Sequence, residues 1–374
     1  MAVPLAASGK AGSRAAKRPI RVMIVDDSAI ARSILTRIVA ADPGFEVVAQ
    51  AANADQAREI LTSVLVDIVT LDLEMPNVGG LAALPGILSH GRGARVIVVS
   101  SLAENGAAAA VQALGFGAAD TIPKPGGGRA QGGFSALLLA KMRTIGHARR
   151  EEIGVAESGA NVLLDDVRLR PMSNQPIRCL TIGASTGGLH AISKLFADLP
   201  FRIGIPILVT QHLPAVFIPF FARQLGALTG RDAEVAVDRS ELVSDRILIA
   251  PGDGHLRVAS AGKRMLVRID RSGAVGGCLP AVDPMFASVA EHYGAGACAV
   301  VLTGMGRDGL AGSGRMADAG ATIYVQDPAS SAVWGMPRSV ADAGLASAVL
   351  EPGAIARLIA ARTGAVVAGA ASWT

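Results

Sequence analysis

The chain has 374 residues, of which 51% are hydrophobic, so it carries enough apolar material for two or three folded domains. Its formal net charge of +4 comes from Lys10, Arg14, Lys17 and Arg18, because the first nineteen residues contain no acid and the remaining residues sum to zero. This distribution argues against a nucleic-acid-binding body, and we expect residues 1–19 to form a disordered basic tail.

The three cysteines are far apart in the sequence. Cys179, Cys278 and Cys298 have neither a paired spacing nor a local histidine cluster. Their odd number favours reduced thiols in the cytoplasm and argues against a metal site built on them. No secretory signal is visible at the N-terminus, so we expect a cytoplasmic protein.

Residues 203–222 carry no formal charge and have the length of a membrane span. Three prolines and a central Gln-His pair interrupt this stretch, which favours a strand, a loop and a helix over membrane insertion. No heptad repeat or long apolar stripe stands out elsewhere, so we expect a monomer.

Residues 20–150 alternate short apolar runs with amphipathic segments. Runs that are apolar throughout are typical of strands buried on both faces, which predicts a parallel sheet covered by helices. Ser28 can cap the first helix, whose apolar stripe starts at Ile30. Five such units predict a small doubly wound α/β domain. The predicted strands are Val22–Val25, Phe45–Ala49, Ile68–Leu71, Val96–Val99 and Thr121-Ile122.

A helix near Phe134–Arg150 follows, and residues 151–176 then mix charges with prolines and show no sustained periodicity, which predicts an interdomain linker. Residues 177–365 alternate again and predict a second doubly wound α/β domain with a mostly parallel sheet. Its predicted strands are Leu180–Ile182, Ile207–Thr210, Ile247–Ile249, Ala299–Leu302 and Thr322–Val325.

Three acids follow strands of the first domain. Asp26 and Asp27 come directly after the first predicted strand, and Asp72 follows the third. The carboxyl ends of parallel strands form the ligand crevice of an open sheet, so these carboxylates are expected to converge. Clustered acids repel one another unless a cation joins them, and hard oxygen ligands suit Mg²⁺.

Two further residues complete this predicted pocket. Ser100 ends the fourth strand and supplies a hydroxyl, and Lys124 follows the fifth and supplies a positive charge. The set suits phosphoryl transfer to a carboxylate, with Asp72 as the attacking group. A single acid at a strand end is usually a solvated loop residue, but five fitting residues in order, closed by the Lys124-Pro125 pair, favour the pocket.

A second candidate site begins at the segment Gly183–Gly188, between an apolar run and a helix-like stretch. The glycines allow a sharp turn that exposes the hydroxyl of Ser185, and amides at the start of the helix point toward developing negative charge. This pattern predicts a nucleophile. The same letters also suit a phosphate-binding loop or a plain tight turn.

Residues that follow two later strands can complete a triad. His212 follows the next strand and can act as the base, and Asp308 lies in a glycine-rich loop from which it can orient the imidazole. Ser185 would then attack an ester carbonyl. Amides near Thr186 or Met305 could hold the oxyanion.

Alternatives remain open from the residues alone. His255 is a rival for the base or for a substrate contact, and Arg307 could form a structural ion pair with Asp308. The apolar residues 217–221 are more often core than a substrate groove. A dinucleotide site would need an acid where Thr210-Gln211-His212 stands. Besides a hydrolase and a dinucleotide-binding protein, a third functional class is a non-catalytic scaffold, in which the second domain only binds a partner.

The first domain resembles a response-regulator receiver. The resemblance implies a flavodoxin-like fold, with Asp26 and Asp27 as metal-binding acids, Asp72 as the phosphorylated aspartate, Ser100 as the switch hydroxyl and Lys124 as the essential lysine. It also implies Mg²⁺ as cofactor and a histidine kinase as phosphodonor.

The receiver pattern shows one departure, because Gly79-Gly80 stands where Asp-Gly is usual. Glycine is a weaker helix cap than aspartate by only about a few tenths of a kcal/mol. We therefore expect a looser helix that still permits phosphorylation.

The second domain resembles the catalytic domain of the chemotaxis-specific protein-glutamate methylesterases (CheB), and the order of receiver, linker and esterase is similar to that family over nearly the whole chain. The motifs that carry the resemblance are 183–188, Gln211-His212, Ala250-Pro251 with His255, Val282-Asp283, 303–309, 326–336 and Pro337-Arg338.

This resemblance implies that Ser185, His212 and Asp308 form the triad and that the site needs no cofactor. It implies methyl-esterified glutamates on chemoreceptor helices as substrates, with receptor glutamines as candidates for deamidation. It further implies that the receiver covers Ser185 until Asp72 is phosphorylated.

Overall fold

The computed structural model shows two α/β units, each built on a parallel sheet with helices on both faces, which confirms the predicted fold class. Most of the expected basic tail, the middle of the predicted linker and Pro125 lie outside the described residues. The structure describes residues 18–76, 78–101, 103–124, 131–158 and 167–363.

The first unit alternates five strands with five helices. In chain order they are β1 (Ile20–Val25), α1 (Ala29–Ala40), β2 (Phe45–Ala51), α2 (Ala54–Ser63), β3 (Ile68–Asp72), α3 (Gly80–His90), β4 (Arg95–Ser100), α4 (Glu104–Gly115), β5 (Asp120–Pro123) and α5 (Gln131–Ser158). The strands are parallel, in the order β2-β1-β3-β4-β5. The strand order reverses between β1 and β3, so the ligand crevice of this sheet lies above those two strands.

Local sequence explains where two of these helices begin. Ser28 caps α1 as predicted, since its hydroxyl accepts a backbone hydrogen bond at 3.3 Å. Helix α3 begins after Gly79, and position 80 requires glycine, because a Cβ there would lie 2.0 Å from the carbonyl oxygen of Asp72. One expectation was wrong, since Ile30 of the predicted apolar stripe is 74% exposed.

Helix α5 continues to Ser158, beyond the predicted end at Arg150, so the predicted linker begins within this helix. The second unit then contains nine strands and six helices among the described residues. In chain order they are β6 (Cys179–Ala184), α6 (Gly188–Asp198), β7 (Ile207–Gln211), α7 (Ile218–Thr229), β8 (Ala233–Val235), β9 (Ile247–Ile249), β10 (His255–Ala261), β11 (Arg264–Asp270), α8 (Val282–Tyr293), β12 (Ala297–Val301), α9 (Leu310–Asp318), β13 (Thr322–Gln326), α10 (Met336–Asp342), β14 (Ala348–Leu350) and α11 (Pro352–Thr363).

Seven of these strands form one parallel sheet, in the order β14-β13-β12-β6-β7-β9-β8. The strand order reverses between β6 and β12, so the loops after these strands and after the adjacent β7 share one edge. Strands β10 and β11 pair separately as an antiparallel hairpin. Stretch 203–222 forms strand, loop and helix, and no helix in the described part of the chain is long and apolar enough to cross a bilayer.

The two units share an apolar core. Helix α4 of the first unit packs against α6 and α7 of the second. Val111 and Leu114 of α4 belong to the same buried cluster as Leu189 of α6 and Phe221 of α7. This contact holds the first unit against the end of the second sheet at which the loop after β6 lies.

Candidate functional sites

The acidic pocket forms at the predicted edge of the first sheet. Carboxylate oxygens of Asp26, Asp27 and Asp72 lie within 4.8 Å of one another. Lys124 reaches the same place, and its Nζ donates to Oδ2 of Asp72 at 2.7 Å. The structure thus brings together the three acids and the lysine that the sequence singled out.

The electrostatics of the pocket favour a bound cation. Burial raises the pKa of Asp26, and the neighbouring Asp72 carboxylate raises it further. Ser100 lies at the end of β4 with a buried Oγ that has no hydrogen-bond partner among the described residues. Oxygen donors, excess negative charge and an unused hydroxyl fit a hard divalent ion and a phosphoryl group.

Ser185 occupies the turn between β6 and α6. Gly187 in this turn has a φ of 76°, a conformation that glycine adopts without strain. The amide of Ser185 donates to the carbonyl of Thr303 at 3.0 Å, and the side chain of Gln211 donates to the carbonyl of Ser185 at 2.8 Å. The ends of β12 and β7 therefore fix the backbone of the serine.

Close packing around the serine depends on Gly304. A Cβ at position 304 would lie 2.7 Å from Cβ of Ser185 and 2.4 Å from Sδ of Met336. Only glycine lets the loop after β12 pass this close to the turn. Gly304 and Gln211 were not predicted as positioning residues, although both lie in segments that carry the family resemblance.

His212 and Asp308 form a hydrogen-bonded pair, with 2.7 Å between Nε2 and Oδ2. Backbone amides hold both oxygens of the carboxylate, since Val282 donates to Oδ2 at 2.6 Å, and Asp283 and Gly309 donate to Oδ1 at 3.0 and 2.9 Å. Asp308 is therefore fixed before any substrate binds.

The pKa values of the pair move in opposite directions. Burial would raise the pKa of Asp308, but the hydrogen bond from His212 and the backbone amides outweigh it and lower that pKa. Burial likewise opposes the charged form of His212, but Asp308, with help from the thiol of Cys278, raises the pKa of the imidazole to about 9. An ionised carboxylate that orients and charges an imidazole is the arrangement found beside a nucleophile.

Cys278 lies beside this pair, which the spacing of the cysteines did not predict. One ligand atom from each of His212, Cys278 and Asp308 lies within 4.8 Å of the others. The cysteines were not expected to bind a metal, because the sequence has no paired cysteines and no local histidine cluster. This group instead forms from three residues that are distant in the sequence and close in the fold.

His255 has a different position from the one that a catalytic base needs. Its side chain is buried, Nδ1 accepts from the amide of Ala281 at 2.9 Å, and Nε2 lies 2.6 Å from the carbonyl of Gly273. Both ring nitrogens are thus used to hold the loop between residues 273 and 281. Asp308 pairs with His212, so it is not the partner of Arg307.

The first unit contacts the serine turn directly. The amide of Gly187 donates to the carbonyl of Ala119 at 2.7 Å, and Oγ1 of Thr186 donates to Oδ2 of Asp120 at 2.7 Å. The backbone amides of Thr186 and Met305 have no acceptor among the described residues. Of the two predicted oxyanion donors, Thr186 therefore lies at the contact between the units, and the side chain of Met305 packs against an apolar cluster built mainly by the first unit.

The fold and the two pockets define a class: a response regulator joined to an α/β enzyme unit. The family model of the response regulator receiver domain matches residues 22–130, and that of the CheB methylesterase matches residues 180–359.

Relatives extend the match over both units. The protein-glutamate methylesterase/protein-glutamine glutaminase 1 of Paramagnetospirillum magneticum is 38% identical over 88% of this chain and 93% of its own length. The corresponding protein of the group 2 operon of Bradyrhizobium diazoefficiens is 36% identical over 94% of this chain and 96% of its own length. The crystal structure of the Thermotoga maritima CheB methylesterase catalytic domain aligns at 33% identity over 49% of this chain and 97% of that chain, with a TM-score of 0.48.

The chain belongs to the CheB family of protein-glutamate methylesterase/protein-glutamine glutaminases. It is therefore an enzyme with a receiver unit, which confirms the resemblance drawn from its motifs and excludes the scaffold and dinucleotide interpretations.

Proposed function

We propose that this chain is a phosphorylation-activated serine hydrolase that removes methyl esters from glutamates of chemoreceptors, releases methanol and also deamidates receptor glutamines. The observation that carries the proposal is the hydrogen-bonded His212–Asp308 pair, whose members follow the strands β7 and β12 on either side of the strand that leads to Ser185. The amide of His212 also donates to the carbonyl of Ala184, next to the serine, at 3.0 Å. The names of the relatives supply the substrate class. Free cysteines fit action in the cytoplasm.

The proposed mechanism gives each nitrogen of His212 a different role, and the hydrogen bond to Asp308 supports this division. Nε2 carries a proton that it donates to Asp308, so the lone pair of a neutral imidazole lies on Nδ1. Nδ1 takes the hydroxyl proton of Ser185 as its oxygen attacks the ester carbonyl. The same proton then passes to the methoxide as the tetrahedral intermediate collapses, so that methanol leaves and an acyl-serine remains.

Hydrolysis of the acyl-serine repeats these steps with water as the nucleophile. His212 takes a proton from the water and returns it to the serine oxygen, which leaves a free glutamate carboxylate. With a glutamine substrate the first leaving group is ammonia. The amides of Thr186 and Met305 are the candidate donors to the oxyanion.

Phosphorylation is proposed to occur on Asp72, with a histidine kinase as donor. Asp26, Asp27 and Asp72 would hold Mg²⁺, which supplies positive charge to the phosphoryl oxygens when bound. Lys124 neutralises the attacking carboxylate, and the unpartnered hydroxyl of Ser100 is available to a phosphoryl oxygen.

Helix α4 connects the two sites physically. It begins shortly after Ser100, and its last residue, Gly115, lies against Gln224 of α7. Ala119 and Asp120 bond the serine turn, and we propose that in this arrangement the first unit hinders the approach of a substrate helix to Ser185. A shift of α4 on phosphorylation would weaken these contacts and open the site.

The nucleophile can be tested with a methylated receptor and release of methanol as the readout. Ser185→Ala is expected to lower the rate of methanol release by roughly 10⁴- to 10⁶-fold, because without the serine hydroxyl no acyl-serine can form. Ser193→Ala is a matched control, since that hydroxyl bonds the carbonyl of Leu189 within α6. A rate in Ser185→Ala equal to that of the control would exclude the proposed mechanism.

The regulation is tested separately with Asp72→Asn and a small acyl phosphate as donor. The wild-type enzyme is expected to be stimulated and the variant to show no stimulation, because an amide cannot form the acyl phosphate. Retained stimulation in Asp72→Asn would place the regulatory phosphorylation elsewhere.

A further inference from the structure

The loop that carries Cys278 is a built structure. Val275 and Cys278 exchange two backbone hydrogen bonds of 3.0 Å each around Gly276 and Gly277, whose φ angles are 60° and 84°. Two glycines with positive φ between reciprocally bonded residues give a tight turn of the primed type. This turn sets the direction in which the Cys278 side chain leaves the backbone.

The buried ring of His255 holds both ends of the same loop. It bonds the carbonyl of Gly273 at 2.6 Å before the turn and the amide of Ala281 at 2.9 Å after it. The next amide, that of Val282, bonds Asp308. The loop is therefore tied to strand β10 and to the carboxylate of the esterase site, and Cys278 is held at that site while remaining partly accessible.

The three side chains that meet there offer three different donor atoms. His212 supplies an imidazole nitrogen, Cys278 a thiol sulfur and Asp308 a carboxylate oxygen, all within 4.8 Å. Zinc is held in proteins by these donor types at about 2.0 to 2.3 Å in a tetrahedral arrangement, and three protein ligands leave a fourth position for water. Mg²⁺ avoids sulfur, so the two clusters of this chain differ in the metal that they select.

We propose that His212, Cys278 and Asp308 form an inhibitory site for a thiophilic divalent cation of the Zn²⁺ class. A bound cation takes the imidazole that the mechanism needs as a base, so it stops ester hydrolysis; this effect rests on the proposed function of His212. The thiol loses its proton, and the cation displaces the Nε2 proton, which is released from a protonated ring or moves to Nδ1 of a neutral one. Nδ1 is then protonated and has no lone pair for the proton of Ser185. The 2.7 Å separation of Nε2 and Oδ2 widens to about 3.3 Å to admit the ion.

The site is tested first by a readout that does not depend on activity. Co²⁺ added to the full-length chain is expected to give the near-ultraviolet charge-transfer band of a thiolate–cobalt bond. The band is expected to disappear in Cys278→Ser and to persist in Cys298→Ala, whose thiol is buried in β12. The acidic pocket contains only oxygen donors and cannot produce this band.

The inhibition is tested by methanol release from a methylated receptor at increasing Zn²⁺ concentration. The wild-type activity is expected to fall and to return with a chelator, and Cys278→Ser is expected to raise the inhibitory midpoint by at least about tenfold, each variant being compared with its own metal-free rate. Mg²⁺ over the same range should not inhibit.

Three results would overturn the proposal. An absent cobalt band in an active enzyme contradicts the metal site alone and leaves the esterase mechanism standing. A cobalt band without loss of activity contradicts both the inhibition and the role of His212 as base. Inactivation by hydrogen peroxide without cobalt binding identifies Cys278 as an oxidisable thiol instead.

Discussion

The proposed base and the proposed nucleophile of the esterase site are held in different ways. Among the described residues, the backbone amides that hold the Asp308 carboxylate belong to the second unit, at the start of α8 and in the loop before α9. The turn that carries Ser185 also bonds the first unit, through Ala119 and Asp120.

This difference suggests that catalysis and regulation depend on separate contacts. We expect the proposed base to stay oriented when the first unit moves, because the groups that hold Asp308 belong to the second unit. The nucleophile turn is the part that a movement of the first unit reaches. Regulation is therefore expected to change access to Ser185 and the donors beside it, with little effect on the hydrogen bonding of Asp308.

Among the tests of this comparison, Asp308→Asn, which replaces the carboxylate, is expected to have the largest effect. The amide group cannot accept the backbone amides and also orient His212, so kcat should fall by roughly 10⁴-fold. Methanol release with and without a phosphodonor measures it, and the loss should be equal in both conditions. A smaller loss in the phosphorylated enzyme would show that the receiver does affect the base.

The pH dependence should come from the base half of the site. Ester hydrolysis needs neutral His212, whose pKa is raised to about 9, so kcat/KM should rise about tenfold per pH unit up to a midpoint near that value. Cys278→Ser should move the midpoint to lower pH, because the thiol helps to raise the pKa. The rate of Ser185→Ala, measured at each pH, corrects for spontaneous alkaline hydrolysis of the ester. An unshifted midpoint in Cys278→Ser would contradict the contribution of the thiol to the pKa of His212.

The raised pKa of His212 also affects the stability of the fold, with the opposite dependence on pH. Folded His212 binds its proton more tightly than the unfolded residue, whose pKa is 6.5. The stabilisation is full below pH 6.5 and is lost as the pH rises through about 9. Catalysis and stability of this site therefore favour opposite ends of that range.

Thr186→Val should have the smallest effect on activity. It tests whether the contact between the first unit and the Ser185 turn limits the unstimulated rate. It removes the hydrogen bond to Asp120, worth about 1 to 1.5 kcal/mol, so the activity without phosphodonor should rise by up to about tenfold. The stimulated activity should change less. Thr144→Val is the control, because that hydroxyl bonds Ala140 within α5. An unchanged basal activity would mean that this bond does not hold the site closed.

Much of this arrangement could be predicted because strand ends in a parallel sheet converge. Asp26, Asp72, His212 and Asp308 each follow an apolar run, and the topology alone brings them to two edges. The hairpin of β10 and β11 was not predicted, since charged side chains such as Arg268 obscure its alternation.

Contacts between distant segments could not be predicted from local patterns. Nothing around Cys278 in the sequence points to His212, because the loop is placed by a histidine on another strand. The bond between Thr186 and Asp120 joins two units whose relative position no periodicity encodes. No sequence pattern marks Asp120 as a residue of the contact between the units.

The apolar cluster that runs through α4, α6 and α7 limits how the enzyme can open. Full separation of the units would expose apolar surface where α4 packs against α6 and α7, at about 25 cal/mol for each Å² of that surface. A sliding or tilting of α4 keeps most of this surface dry while it breaks the few polar bonds at the serine turn. We therefore expect the proposed activation to be a small displacement of α4 over this apolar contact, with the two units still packed against each other.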